Sequence, residues 1–190
     1  MTFPPVRSSI SRRAVSAVAV VALSVSLGAC SSSSKLTAKE SASLLNKGLQ
    51  AQVAGNVGEA EKDFKKIIKS DASNKFAHYN LGLIYQNQSK SSDAENQYRA
   101  ALAIDSKFGP ALYNLGILRA NANDTTGAIS LYRRAIAADA KDSNAHFNLG
   151  LLLRGQGNTK DGNAEVQTAV NIDPSLRSKA IAQGVPLTGS

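Results

Sequence analysis

The stretch Ala77-His78-Tyr79-Asn80-Leu81-Gly82-Leu83 decides how the rest of the chain is read. It returns as Ala111-Leu112-Tyr113-Asn114-Leu115-Gly116-Ile117 and again as Ala145-His146-Phe147-Asn148-Leu149-Gly150-Leu151. The three glycines fall 34 residues apart, and one more step of 34 back from Gly82 reaches Gly48 in a weaker copy, Leu44-Leu45-Asn46-Lys47-Gly48-Leu49. A fixed period of this length means one supersecondary unit used four times, each burying its apolar face against the next.

Every unit divides into two helical patterns. In the second, Ala77, Leu81, Ile84, Tyr85 and Gln88 step by three and four, the stripe of an amphipathic helix. The polar run 89–92 interrupts it. Ser92 and Glu95 then have capping-box spacing, and Ala94, Tyr98, Ala101 and Leu102 mark a second stripe. The third unit opens on Gly109-Pro110, a proline suited to a first helical turn, and turns at 121–124, where Asp124 is placed to cap the next helix. The fourth turns at Gly155-Gln156-Gly157-Asn158. Twelve residues past the glycines stand Ala60, Ala94, Ala128 and Gly162, and sixteen past stand Phe64, Tyr98, Tyr132 and Val166. Small residues at the first place let the paired helices approach; bulky ones at the second fill the space between neighbouring units. Upstream, Thr37-Ala38-Lys39-Glu40 reads as a capping box that starts the first helix.

This pattern resembles the tetratricopeptide repeat (TPR), a helix-turn-helix unit of 34 residues with a Leu-Gly-x-x-Tyr signature, a later Ala, an aromatic four on and a closing Pro. Leu81-Gly82 with Tyr85 matches. Leu115-Gly116 and Leu149-Gly150 keep the pair, with Arg119 and Leu153 in the tyrosine's place, and only Pro174 fills the closing position, where the other units have Ala72, Ser106 and Ala140. The resemblance covers residues 41–176. It implies an all-α fold: a right-handed TPR superhelix of four helix-turn-helix repeats at about 41–74, 75–108, 109–142 and 143–176, with a C-terminal capping helix within 177–186. Lys47 replaces the usual Leu in unit one, which suits a terminal unit. At the other end Asp173-Pro174 opens the last helix, Leu176, Ala180 and Ile181 are expected to cover unit four, Gly184 and Pro186 stop the helix, and the tail is expected to fray. Together, 37–190 form one TPR domain.

The front of the chain has a different character. Residues 1–13 are basic, with Arg7, Arg12 and Arg13 and no acid, and Ala14 to Leu27 is uncharged and apolar, the length of a signal h-region and short of the roughly 20 residues a membrane-spanning helix needs. Leu27-Gly28-Ala29-Cys30 follows, and it resembles the lipobox of bacterial lipoproteins. That resemblance implies a signal peptide at 1–29, cut before Cys30, which takes a diacylglycerol anchor. An ordinary signal peptide, or an uncleaved apolar segment, with a coincidental cysteine is the alternative, and Arg12-Arg13 leaves general and twin-arginine export both open. Residues 30–36 then serve as lipidated cysteine and Ser-rich tether, reaching only on the order of 20 Å. The chain's formal charge is +8. Setting the first 29 residues aside removes three of 22 basic residues, leaving 19 against 14 acidic ones, a mild and dispersed excess that does not suggest nucleic acid. One cysteine provides neither a disulfide framework nor a cysteine-based metal site.

No Ser-His-Asp or Cys-His set, glycine-rich phosphate loop or metal-spaced carboxylate cluster occurs in the sequence, so the reading is no enzyme, no cofactor and no metal. His78 and His146 stand two repeats apart, on the order of 20 Å, and read as packing residues. Lys62, Lys65, Lys66 and Lys69 read as a solvated face with local pairs such as Glu61 to Lys65, with contact to anionic headgroups as the alternative. The family resemblance implies that the first helix of each unit lines a concave groove. There the aromatics Tyr79, Tyr113 and Phe147, the asparagines Asn46, Asn80, Asn114 and Asn148, and the aliphatics Leu83, Ile117 and Leu151 would form a stripe beside an amide ladder, with Gln86 and Arg154 at its edge. Amides both donate and accept, so such a ladder can satisfy an irregular peptide backbone. The family's clamp for a chaperone's terminal carboxylate is not expected, since Phe76, Pro110 and Leu83 stand where it needs cations and polar groups. The resulting expectation is a lipid-anchored scaffold on the extracytoplasmic side of a bacterial cell envelope, binding a protein or peptide in its groove. It looks like the TPR lipoproteins that help assemble type IV pili or secretion pores. The alternative is a carrier or structural protein whose basic surface binds cell-wall polymer or anionic lipid. Partner identity, inner or outer membrane, and oligomeric state are left open.

Overall fold

A computed structural model describes residues 35–188. The predicted signal segment, Cys30 and residues 31–34 of the tether lie outside the described residues. Those described form the helices α1 (Ala38–Val53), α2 (Val57–Ser70), α3 (Lys75–Asn87), α4 (Ser91–Ile104), α5 (Gly109–Asn121), α6 (Thr125–Ala138), α7 (Ser143–Gly155), α8 (Thr159–Ile172) and α9 (Arg177–Ala182), with a 3-10 turn at Pro174–Leu176. Contacts follow chain order, α1 with α2, α2 with α3 and onward to α9. The architecture is the expected all-α right-handed superhelix of four helix pairs.

Two kinds of turn generate it. Inside each unit the chain reverses through one residue in the left-handed region, Gly55, Ser89, Asn123 and Gly157, with φ of +80°, +60°, +62° and +85°. Between units an aspartate closes the connection: Oδ1 of Asp71, Asp105, Asp139 and Asp173 accepts from the backbone N–H two residues on, at 2.9 to 3.0 Å. These aspartates are themselves 34 apart, and an Asx turn holds the loop without a proline. This explains how the three units lacking the closing proline still turn.

The caps correct part of the sequence reading. Thr37 and Glu40 make the expected reciprocal box, and Asp124 accepts from Gly127 N–H at 2.9 Å. Ser92 and Glu95 make no box, because α4 begins two residues earlier, with Lys90 at its N-cap and no side-chain cap there, and Glu95 is held by Arg99 and Arg119.

The signature glycines are where paired helices meet most closely. A Cβ on Gly48, Gly82 or Gly116 would lie 2.6 to 2.7 Å from the ring of Phe64, Tyr98 or Tyr132 in the same unit. The bulky residue thus packs on its own unit's glycine as well as against the next unit, more than the inter-unit filler it was expected to be. Unit four, with Val166 in place of an aromatic and Gly162 in place of Ala, closes further: a Cβ on Gly150 would meet the Gly162 carbonyl at 2.6 Å.

The superhelix ends differently at its two edges. In unit one Lys47 reaches Glu59 at 2.7 Å and Asp63 at 3.7 Å, and Asp63 Oδ2 is buried without a hydrogen-bond donor. At the other edge Ala180 is buried as expected, but Ile181 is 61% exposed, and Val185 packs in its place with Leu187 beside it. The tail does not fray before residue 188, since Thr188 N–H donates to Gln167 Oε1 at 2.8 Å.

Candidate functional site

The first helices α1, α3, α5 and α7 carry the predicted groove residues, and the structure ties these helices together by side-chain hydrogen bonds. Asn114 Nδ2 donates to the Tyr79 hydroxyl at 3.2 Å and to the Pro110 carbonyl at 2.9 Å. One unit on, Asn148 Nδ2 donates to the Tyr113 hydroxyl at 3.1 Å. Unit one has Leu45 where the others have a ring, so Asn80 has no hydroxyl to reach; its amide turns to the Phe76 carbonyl at 2.8 Å and is buried. Asn46, with no unit before it, is exposed.

This changes what the amide ladder offers. The donor ends of Asn80, Asn114 and Asn148 are used within the chain, and their carbonyl oxygens accept nothing from the described residues. The wall is therefore an acceptor row, suited to backbone N–H groups. Burial pushes the Tyr79 and Tyr113 phenols above their ordinary pKa, against the opposing hydrogen bonds from Asn114 and Asn148, so both stay protonated donors at neutral pH.

Along the same helices Leu83, Ile117 and Leu151 are half-buried, as are Tyr79 and Tyr113. Three residues predicted with them are otherwise engaged. Gln86 accepts the Tyr98 hydroxyl at 2.7 Å. Phe147 is 1% exposed, inside the C-terminal cluster with Lys179 Nζ over its ring at 4.7 Å. Arg154 bonds Asn163 and donates to the Gly184 carbonyl at 2.9 Å, so it clasps the cap. None of these three engagements follows from spacing alone, because each depends on how the helices rotate against one another.

The histidines are satisfied core groups. His78 Nδ1 meets Gln97 Oε1 at 2.8 Å and Nε2 the Ala72 carbonyl at 3.1 Å; His146 Nδ1 meets Glu165 Oε2 at 2.6 Å and Nε2 the Ala140 carbonyl at 3.3 Å. Where Leu112 replaces the histidine in unit three, its partner position holds Leu131. The two places change together in units two to four, whereas unit one sets Leu44 opposite Asp63. No group of His, Cys, Asp and Glu able to hold a metal occurs among the described residues.

An aromatic cluster that spacing did not single out lies at the start of α3 and α5. Phe108 meets Phe76 and Tyr79 edge-on, with centroids 5.6 and 5.4 Å away, and Lys75 Nζ sits 5.2 and 5.1 Å from the Phe76 and Phe108 centroids while pairing with Asp105 at 2.6 Å. The Lys75 hydrogen bond holds the Asp105 carboxyl below its usual range. Phe108 occupies an N-cap position without capping, and that broken local rule was the available signal.

The tetratricopeptide repeat model matches residues 45–107, 79–143 and 113–175. The chain belongs to the tetratricopeptide repeat family. Among solved TPR-like structures, a crystal structure of MamA superposes with a TM-score of 0.64 at 21% identity, over 73% of this chain and 81% of that one. Pseudomonas aeruginosa pilF gives 0.66 at 22% identity, over 74% and 64%. The first TPR domain of Spaghetti (RPAP3), solved bound to the HSP90 peptide SRMEEVD, gives 0.60 at 20% identity, over 65% and 98%. At these identities the likeness shows the fold. No curated protein matches the chain. TPR domains serve as protein-interaction scaffolds, and the face built by α1, α3, α5 and α7 is the candidate site here.

Proposed function

We propose that this TPR chain is a lipid-anchored docking module of a bacterial cell envelope, holding a protein segment along α3, α5 and α7 during assembly of a pilus or secretion-pore complex. The observation that carries the docking reading is the row Leu83, Ile117 and Leu151, half-buried beside the rings of Tyr79 and Tyr113 and braced by the tyrosine to asparagine bonds between units. Apolar contact supplies the affinity, and the free amide oxygens accept a bound backbone. Bracing before binding reduces the ordering cost on association.

The anchor rests on Leu27-Gly28-Ala29-Cys30. At the near end of the described chain, Leu36 N–H donates to Ser70 Oγ at 2.5 Å, which fixes the end of so short a tether to unit one. No helix of the described residues is long and apolar enough to cross a membrane. The envelope process comes from the resemblance to pilus and secretion lipoproteins alone.

A photo-crosslinking residue placed at 83 or 117 should give discrete protein adducts in intact cells, and one at exposed Lys160 should not. Equal labelling from the groove and from 160 would remove the groove from this account. Cys30→Ala should release the protein from membranes or leave an unprocessed precursor; membrane retention of a cut, unlipidated form would remove the anchor.

A further inference from the structure

The second helices of units two and three, α4 and α6, flank a cleft of about 570 Å³ that the groove does not include. Leu102, Leu115 and Leu131 lie in it, and Arg99, Arg119 and Arg134 rim it; no carboxylate lines it. Glu95, set back from the cleft, holds two of the guanidiniums: it pairs with Arg99 at 2.8 Å and with Arg119, which also meets Asp124 at 3.6 Å. Arg134 donates to a neutral partner, the Ser106 carbonyl, at 3.1 Å. Helix α6 contains Arg133 and Arg134 and no acidic residue, so the arginines around the cleft outnumber the two carboxylates that hold them. Past Arg134 a second hollow of about 370 Å³ continues to Lys107.

We infer that this cleft is a second docking site, and that its occupant is an acidic segment of a partner protein with apolar side chains set among its carboxylates. The inference rests on the reading of the chain as a protein-docking module and adds a surface between the second helices α4 and α6, with Leu115 and Arg119 of α5 between them. Planar guanidinium forks match carboxylates in two-point contacts and are stronger there than neutral hydrogen bonds. Glu95 and Asp124 position two of the forks before anything binds. The leucine floor selects the protein chain over other polyanions: a phosphate polymer gains nothing from buried aliphatic surface, and the cleft has no aromatic ring on which a nucleic-acid base would stack. The arginines give rate and register, and the floor gives the apolar share of the affinity.

The test uses the purified full chain and a labelled peptide of repeating Glu-Glu-Leu triplets, followed by fluorescence anisotropy. The peptide should bind, with affinity falling as salt rises. A Gln-Gln-Leu version, and polyglutamate, should each bind at least about tenfold more weakly. The double variant Arg99→Ala with Arg134→Ala should lose about tenfold or more, and because Arg99 and Arg134 are both exposed, its circular dichroism and melting should match the parent. Lys160→Ala, exposed and outside both surfaces, should leave peptide affinity unchanged. The inference is overturned by no binding in the millimolar range, by unchanged affinity in the arginine double variant, or by inorganic polyphosphate or phosphatidylglycerol vesicles binding as tightly as the peptide. Failure here leaves crosslinking from 83 and 117 untouched, so the two readings fall separately.

Discussion

At the scale of single residues, the four signature glycines have too little room for a side chain. Gly116→Ala would drive a Cβ to 2.7 Å from the Tyr132 ring, which can tilt; Gly150→Ala would drive one to 2.6 Å from the Gly162 carbonyl, which cannot. Overpacking of this kind costs about 1–3 kcal/mol, so urea unfolding should place Gly116→Ala low in that range and Gly150→Ala high, while Gly58→Ala, with open space around its Cβ, should be neutral or stabilising by up to about 0.5 kcal/mol. An equal loss at 116 and 150 would mean that ring and backbone yield alike. The tyrosines give a second residue-scale prediction. Burial pushes the phenols of Tyr79, Tyr98 and Tyr113 upward and that of Tyr132 up to about 12. An unfolded tyrosine ionises near about 10, so above that pH the unfolded chain sheds protons the folded one keeps. Their contribution is full below about pH 10 and is lost as pH rises toward 12. Urea midpoints should fall across that window, and Tyr132→Phe should flatten the fall by on the order of 1 kcal/mol per pH unit. An unchanged slope would show that Tyr132 ionises alike in both states. The glycines and bulky residues were legible because spacing alone identifies them. The tyrosine to asparagine bonds were not, since Tyr79 and Asn114 belong to different units and meet only through the rotation of α3 against α5.

At the scale of elements, the helices were legible from their stripes, and the connections only in part. Ser92 and Glu95 had the letters of a capping box, yet α4 starts two residues earlier, directly after the left-handed Ser89 and Lys90, and the arginines claim Glu95. The recurring aspartates at 71, 105, 139 and 173 were visible at the repeat period, but the closing proline was sought in their neighbourhood instead. The turn of unit two is consequently the least satisfied of the four: Ser89 holds φ +60° without being Gly or Asn, and Lys90 sits where Asp124 and Asn158 cap the later units. A left-handed conformation costs an ordinary residue roughly 1–2 kcal/mol, less the entropy glycine loses on folding, so Ser89→Gly should raise stability by about 0.5–1 kcal/mol. Lys90→Asp should add about 0.5–1 kcal/mol through a new cap, less the exposed contact of Lys90 with the Tyr85 ring at 5.7 Å. Chemical denaturation of the single and double variants measures both, and a destabilised Lys90→Asp would show that the ring contact outweighs the cap.

At the scale of the whole molecule, a solenoid is stabilised unit by unit, so its open edges decide where it comes apart. The N-terminal edge is closed by charge, with Lys47 over Asp63 and Glu59, and leaves Leu49 partly and Val53 almost wholly bare. The C-terminal edge is closed by packing. Ala180 and Val185 seal the cluster of Phe147, Val166 and Val170, Lys179 covers the Phe147 ring, and Arg154 ties the end of α9 back to α7. Sequence reading foresaw the cap with Leu176 and Ala180 in it and missed one member: Ile181 is exposed, and after the left-handed Gly184 it is Val185 that packs inward instead. Ending the chain at residue 176 would uncover Phe147 and the two valines, and burying one or two such side chains is worth about 1.5–3 kcal/mol each. The truncated chain should therefore melt roughly 5–10 °C lower, and amide exchange should rise first in α7 and α8 while α3 to α6 keep their protection. Arg154→Gln removes the clasp and leaves the apolar seal, so it should cost only about 1 kcal/mol. If truncation and Arg154→Gln cost the same, the cap holds by its hydrogen bonds; if truncation raises exchange evenly across all four units, the chain unfolds as one cooperative body and the edge has no special weight.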